Sequence, residues 1–156
     1  MKYNSGQEFM IKTRYANVST SPQNSGDVPQ PPLELPIPEG AKLIELPKAA
    51  EIALPGIDLR TAIEARRTVR AYAETPLTLE EVAYLLWVSQ GVKRISNRPS
   101  TRRTVPSAGE RHAFETYVLA NRVEGLKHGL YRYAAIEQVL LPLKKNADIS
   151  EKIANA

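Results

Sequence analysis

The sequence predicts an α+β fold, with helices followed by strands. Two observations carry this. Capped helical patterns fall in the middle of the chain, over residues 59–67 and 78–90. Strand-like runs rich in Thr, Tyr, Val and Leu follow them, without the regular helix–strand alternation of a parallel sheet.

The chain has 156 residues, enough for one domain with a real core. The longest apolar run, residues 82–88, is far too short to span a membrane, and the polar N-terminus lacks the apolar stretch of a signal peptide. Absence of cysteine excludes disulfides, thiolate metal sites and a cysteine nucleophile, and agrees with a cytoplasmic protein. Charge is unevenly spread. Residues 1–59 carry five basic and seven acidic side chains, and residues 60–111 carry ten and five. The basic middle points to an anionic ligand. No nucleic-acid-binding motif accompanies it, so nucleic acid is not the expected partner.

In chain order, residues 1–20 form an arm or short helix. Residues 21–56 form a proline-rich extended arm, with seven of the twelve prolines between Pro22 and Pro47. Its apolar residues Leu33, Leu35, Ile37, Leu43, Ile44 and Leu46 need covering, so the arm should wrap the domain or a neighbouring subunit. The domain proper occupies residues 57–156. Asp58 caps the first helix, whose apolar face is Leu59, Ala62 and Ile63. That helix should end near Arg67, where Thr68-Val69 is β-branched. Arg66, Arg67 and Arg70 then fan out around one point, where a phosphate would relieve their repulsion and accept bidentate bonds, though the same cluster also reads as a solvated surface edge.

The second helix starts with a capping box, Thr78 and Glu81, with Leu77 stapled onto Val82. Val82, Leu85, Leu86 and Ser89 share its inner face, Trp87 reads as core, and Gly91 reads as a C-terminal stop. Residues 92–113 read as a basic loop with Lys93, Arg94, Arg98, Arg102, Arg103 and Arg111 against Glu110. Within it, Pro106-Ser107-Ala108-Gly109 are small enough to bring backbone N–H groups close to a flat ligand, though the same four residues also read as a plain turn. Residues 114–121 read as a strand, and 130–133 with 138–143 as a hairpin. Asp148 caps a last helix. The two histidines, His112 and His128, lack a cluster of metal-ligand partners, so no metal is expected.

Taken in order, several of these pieces resemble the nitroreductase superfamily, and specifically its SagB-type dehydrogenase branch. They are Arg-Arg-Thr-Val-Arg-Ala-Tyr at 66–72, Pro-Leu-Thr-Leu-Glu-Glu at 76–81, Leu-Leu-Trp-Val-Ser-Gln-Gly at 85–91, and Arg-Thr-Val-Pro-Ser-Ala-Gly-Glu-Arg-His at 103–112. Phe-Glu-Thr-Tyr at 114–117, Val-Glu-Gly-Leu at 123–126 and Gly-Leu-Tyr-Arg-Tyr at 129–133 continue the set. The resemblance implies a nitroreductase-like FMN-binding fold, here incomplete, since the family's domain runs well past residue 156. It implies an FMN-dependent oxidoreductase, a homodimer or a complementary C-terminal half as partner, and NAD(P)H as donor in the reductases. Hydride would pass through flavin N5 to or from a small organic molecule or a peptide azoline. The alternative is a non-catalytic docking module of a peptide-modifying complex. By the same resemblance Arg66 and Arg70 contact the FMN phosphate and the ring or ribityl chain, with Arg67 and Thr68 in support. Pro106, Ser107, Ala108 and Gly109 lie against the flavin ring from the partner subunit. No catalytic residue is assigned within this chain.

Overall fold

The computed structural model describes residues 4–97, 100–144 and 149–155. The chain divides into two compact units, Met1–Pro32 and Leu33–Ala156. The first unit holds α1 (Ser5–Lys12), a 3-10 turn at Tyr15–Asn17 and the short α2 (Pro22–Ser25). Asn4 caps α1, and Asn4 and Gln7 complete a reciprocal capping box. The start of the proline-rich arm is therefore partly helical. Ser21 caps α2, and Pro22 sits in its first turn, where a missing N–H costs nothing.

The second unit is built on a four-stranded antiparallel sheet, ordered β1 (Ile44–Glu45), β6 (Val139–Lys144), β5 (Gly129–Ala134) and β4 (Thr116–Ala120). β5 pairs with β4 from Thr116↔Tyr133 to Ala120↔Gly129, and with β6 from Ala134↔Val139 to Leu130↔Lys144. The hairpin read from residues 130–143 is thus present; its first strand extends one residue further at each end, and its second runs one residue later than the sequence pattern marks.

Alternation along the hairpin divides its side chains between two faces. Tyr131, Tyr133 and Leu140 meet Leu46 and the helix α4 (Leu79–Gln90), through Val82, Ala83 and Leu86. Ala134, Val139 and Leu141 meet Ile37 and Ala41 of the proline-rich arm. One face is covered by a helix and the other by an extended strap. Leu140 is fully buried, and Tyr131 is nearly so.

The capping box of α4 forms as its sequence predicts: Glu81 N–H donates to Thr78 Oγ1 and the Glu81 carboxylate accepts from Thr78 N–H at 2.8 Å. The expected inner face needs correction: Leu85 and Ser89 are exposed, and Ala83 is buried with Val82 and Leu86. Gly91 also has a different role from a left-handed stop. Its φ is −58°, which any residue adopts, but an added Cβ would lie 2.4 Å from Trp87 Cδ1 and 2.5 Å from the Trp87 carbonyl oxygen. It is glycine for space.

The helix carrying the arginines, α3 (Leu59–Ala65), ends before Arg66. No residue of α3 is buried, so no packing extends it past the β-branched pair. Residues 92–113 are not a plain loop. They contain a hairpin of β2 (Val92–Ile95) and β3 (Thr101–Arg103), with a bulge between Val92 and Arg94. The last helix is α5 (Ile149–Ala154). Its proposed cap, Asp148, and Arg98 of the basic segment lie outside the described residues.

Leu140→Ala is expected to lower stability by about 2–5 kcal/mol, the range for emptying a filled core site. Gly91→Ala is expected to lower it by roughly 1–3 kcal/mol through overpacking against Trp87. Gly56→Ala, which meets no atom within 4 Å, should stay within about 0.5 kcal/mol of the parent. Urea denaturation of the three variants checks this ordering.

Candidate functional site

Asp58 starts α3 by accepting from Thr61 N–H at 3.1 Å. At the other end Arg66 has φ −61° and ψ 121°, so the backbone leaves the helix there. Arg66 and Arg67 therefore lie just past the helix, not on its last turn as the sequence pattern suggests. Arg66, Arg67, Thr68 and Arg70 are all exposed. Among the described residues, no hydrogen bond or ion pair involves the three guanidiniums. They also sit close to the negative end of the α3 dipole, which favours cations. Arg122 anchors the chain that follows, donating from Nη1 to the Glu74 carbonyl and carboxylate, while Leu77 N–H donates to Arg122 O at 3.1 Å.

The β2–β3 hairpin builds a second basic surface. It is tied to α4 by Thr104, whose N–H donates to Gly91 O at 3.0 Å and whose hydroxyl donates to Trp87 O at 2.8 Å. Arg103 Nη1 reaches Gln90 Oε1 at 3.2 Å. A groove of about 310 Å³ lies against this hairpin, lined by Lys93, Arg102, Arg103, Ser107, Glu110 and His112 among others. Glu110 accepts from the Ser100 hydroxyl and from Arg102 Nε. The Ser100 bond first, and then Arg102, hold its carboxyl below the usual carboxylate range. Partial burial, followed by the charge of Arg103, pushes His112 below the usual imidazole range.

The turn carrying Pro106, Ser107, Ala108 and Gly109 is exposed. Gly109 and Glu110 both have positive φ, 69° and 60°. Glycine accepts that conformation freely; Glu110 is held in it by its two side-chain bonds. The Ser107 hydroxyl donates to Arg111 O at 2.7 Å. Of the four predicted loop residues, Ser107 alone lines the groove. Among the described residues of the single chain, no hydrogen bond or ion pair joins this loop to Arg66, Arg67 or Arg70. The sequence marks Lys93, Arg102, Arg103 and Glu110 as a charge cluster, but their convergence on one groove depends on a strand pairing that the pattern of residues 92–103 does not reveal. Among the described residues there is no group of three His, Cys, Asp or Glu that could hold a metal ion, and no helix is long and apolar enough to cross a membrane.

Comparison with known proteins bears on this geometry. A protein of Methanocaldococcus jannaschii classed by name as a nitroreductase is 38% identical over 86 residues, which is 53% of this chain and 41% of that protein. The chain thus spans about two fifths of that relative's length. A crystal structure of a Ralstonia eutropha JMP134 protein, also named as a nitroreductase, overlaps 76% of this chain and 53% of its own, at 24% identity and a TM-score of 0.49. The model of the nitroreductase family matches residues 63–154, more than half of the chain, including both the arginine stretch and the Pro106–Gly109 turn. This chain belongs to the nitroreductase family.

Proposed function

We propose that this chain is the flavin-binding part of an FMN-dependent oxidoreductase, of the SagB-type dehydrogenase branch. The observation that carries the reading is the set of exposed guanidiniums of Arg66, Arg67 and Arg70, unpaired among the described residues and lying inside the stretch the family model covers. Three cations with no carboxylate committed to them suit a phosphate group. Guanidinium forks donate in pairs to phosphate oxygens, and the Thr68 hydroxyl adds a further donor.

Bound FMN would supply the redox centre, its N5 atom exchanging hydride with a small organic substrate, a nitroaromatic, a quinone or a peptide azoline. In the reductive direction NAD(P)H is the donor. The residues of this chain bind and orient. Arg66 and Arg70 hold the phosphate and reach the ring or ribityl chain, and Arg67 and Thr68 support them. A guanidinium beside the pyrimidine end of the ring favours negative charge there. The exposed turn of Pro106, Ser107, Ala108 and Gly109 has the small side chains needed to lie flat against the ring of a partner's flavin.

The partner is a second copy or a complementary C-terminal half. Exposed apolar side chains support this: Leu59 is 74% exposed, Tyr72 81% and Phe114 86%. Large apolar groups left so open suit a surface that another chain covers.

Addition of FMN to the purified chain is expected to quench flavin fluorescence and to give a bound-flavin visible spectrum. A chain that ignores FMN, alone and with its complementary half, would sink the reading. Arg66→Ala should weaken FMN binding by about 1.5–3 kcal/mol, the range for losing a hydrogen bond to a charged group. The same titration checks it.

A further inference from the structure

The β2–β3 hairpin crowds cations onto one short ribbon. Its register sets Arg94 opposite Arg102 and Val92 opposite Arg103. Like charges directly across a strand pair cost stability unless an anion relieves them. Glu110 supplies that anion. Its carboxylate accepts from Arg102 Nε at 2.8 Å and from the Ser100 hydroxyl, and the charge of Arg94 reaches it as well. Glu110 is thereby committed to the Arg94–Arg102 pair.

Lys93 and Arg103 are left over. Lys93 is the extra residue of the bulge, between Val92 and Arg94 and without a partner on β3. A bulge breaks the alternation of a strand and re-aims the side chain it carries. Lys93 joins Arg102 and Arg103 in lining one groove of about 310 Å³, whose wall also includes Thr101 and His112. Arg103 is held there by uncharged acceptors. Its Nε donates to Thr101 Oγ1 and its Nη1 to Gln90 Oε1, each at 3.2 Å. Thr101 is buried, so one of these anchors is fixed in the interior. Among the described residues neither Lys93 nor Arg103 meets a carboxylate, and Arg103 Nη2 makes no hydrogen bond. A guanidinium fixed by uncharged partners keeps its full charge, and N–H groups to spare, for a ligand.

We propose that this groove seats the phosphate group of a small soluble ligand, held by Arg103 and Lys93. Charge sets the class. Three cations and one carboxylate line the groove, and a phosphate monoester carries about −1.5 to −2 at neutral pH. A single carboxylate would leave one cation unanswered. Size agrees, because about 310 Å³ lies at the low end for ligand pockets, so the groove takes the phosphate end of a ligand and not a whole dinucleotide. The seat is separate from the phosphate position assigned to Arg66 and Arg70. It lies within one chain and does not rest on the flavin reading.

His112 reports from inside the groove, where burial and then the charge of Arg103 push it down. A bound phosphate offsets that charge, so the titration midpoint of His112 should rise. An NMR titration of the full chain with inorganic phosphate, without added FMN, reads this directly. The other histidine, His128, bonds Asn121 and does not line the groove, so its midpoint should hold. Acetate at equal ionic strength should move neither. Arg103→Gln should weaken phosphate binding by about tenfold, the low end for losing a hydrogen bond to a charged group. Lys93→Gln, at an exposed position that folding does not depend on, should weaken it by about two- to fivefold, as for an exposed ion pair. Arg66→Ala should leave the His112 response intact. A His112 midpoint that ignores phosphate or answers acetate equally would overturn the proposal. So would unchanged affinity in either groove variant, or a response lost in Arg66→Ala. Failure to bind FMN bears on the flavin reading alone.

Discussion

Burial of the β5–β6 hairpin on both faces is the constraint that organises this chain. A two-stranded ribbon gains little by itself; it needs a cover on each side before its alternating side chains leave water. One side is met in the usual way, by an amphipathic helix whose Val82, Ala83 and Leu86 sit on Tyr131, Tyr133 and Leu140. The other is met by a segment with no helix at all, where Ile37 and Ala41 cover Ala134, Val139 and Leu141. Proline suits such a cover, because its restricted backbone loses less freedom on docking than a general chain would.

This arrangement explains why an arginine can sit in the core. Arg132 alternates with Tyr131 and Tyr133 and so points toward the strap. A strand or helix over that face would have its carbonyls engaged within its own ladder. An extended strap leaves them free, and Pro36 O accepts the guanidinium. The polar cost of burying the charge is thus offset by the kind of backbone that covers it.

Local chemistry was readable from the residues; long-range chemistry was not. Asp58, Thr78 and Glu81 announce helix starts because a cap is settled within four residues. The 130–143 hairpin is legible because its alternation is strong. The β2–β3 hairpin is hidden because Lys93, Arg94 and Ile95 are all exposed, so no alternation marks it. Glu34 looks like a solvated acid among prolines until the turn it caps, a hundred residues on, is brought beside it. Leu85 turns away from the core against the sequence pattern, because a helix with nearly continuous apolar sequence gives no sharp face. At the candidate site, the arginine stretch and the Pro-Ser-Ala-Gly turn stand out as residue types, while the described residues of one chain show no hydrogen bond or ion pair between them.

The crowded junction at Gly91 has a spectroscopic consequence. Trp87 is the only indole in the protein, and Tyr84 lies 6.0 Å from it, ring centre to ring centre. Its neighbours are the Gly91 backbone and the Thr104 hydroxyl that bonds its carbonyl, where α4 hands over to the basic hairpin. Intrinsic emission is therefore a local reporter of that handover. It would track the seating of the hairpin on the helix, and stay comparatively blind to events under the strap on the far side of the sheet.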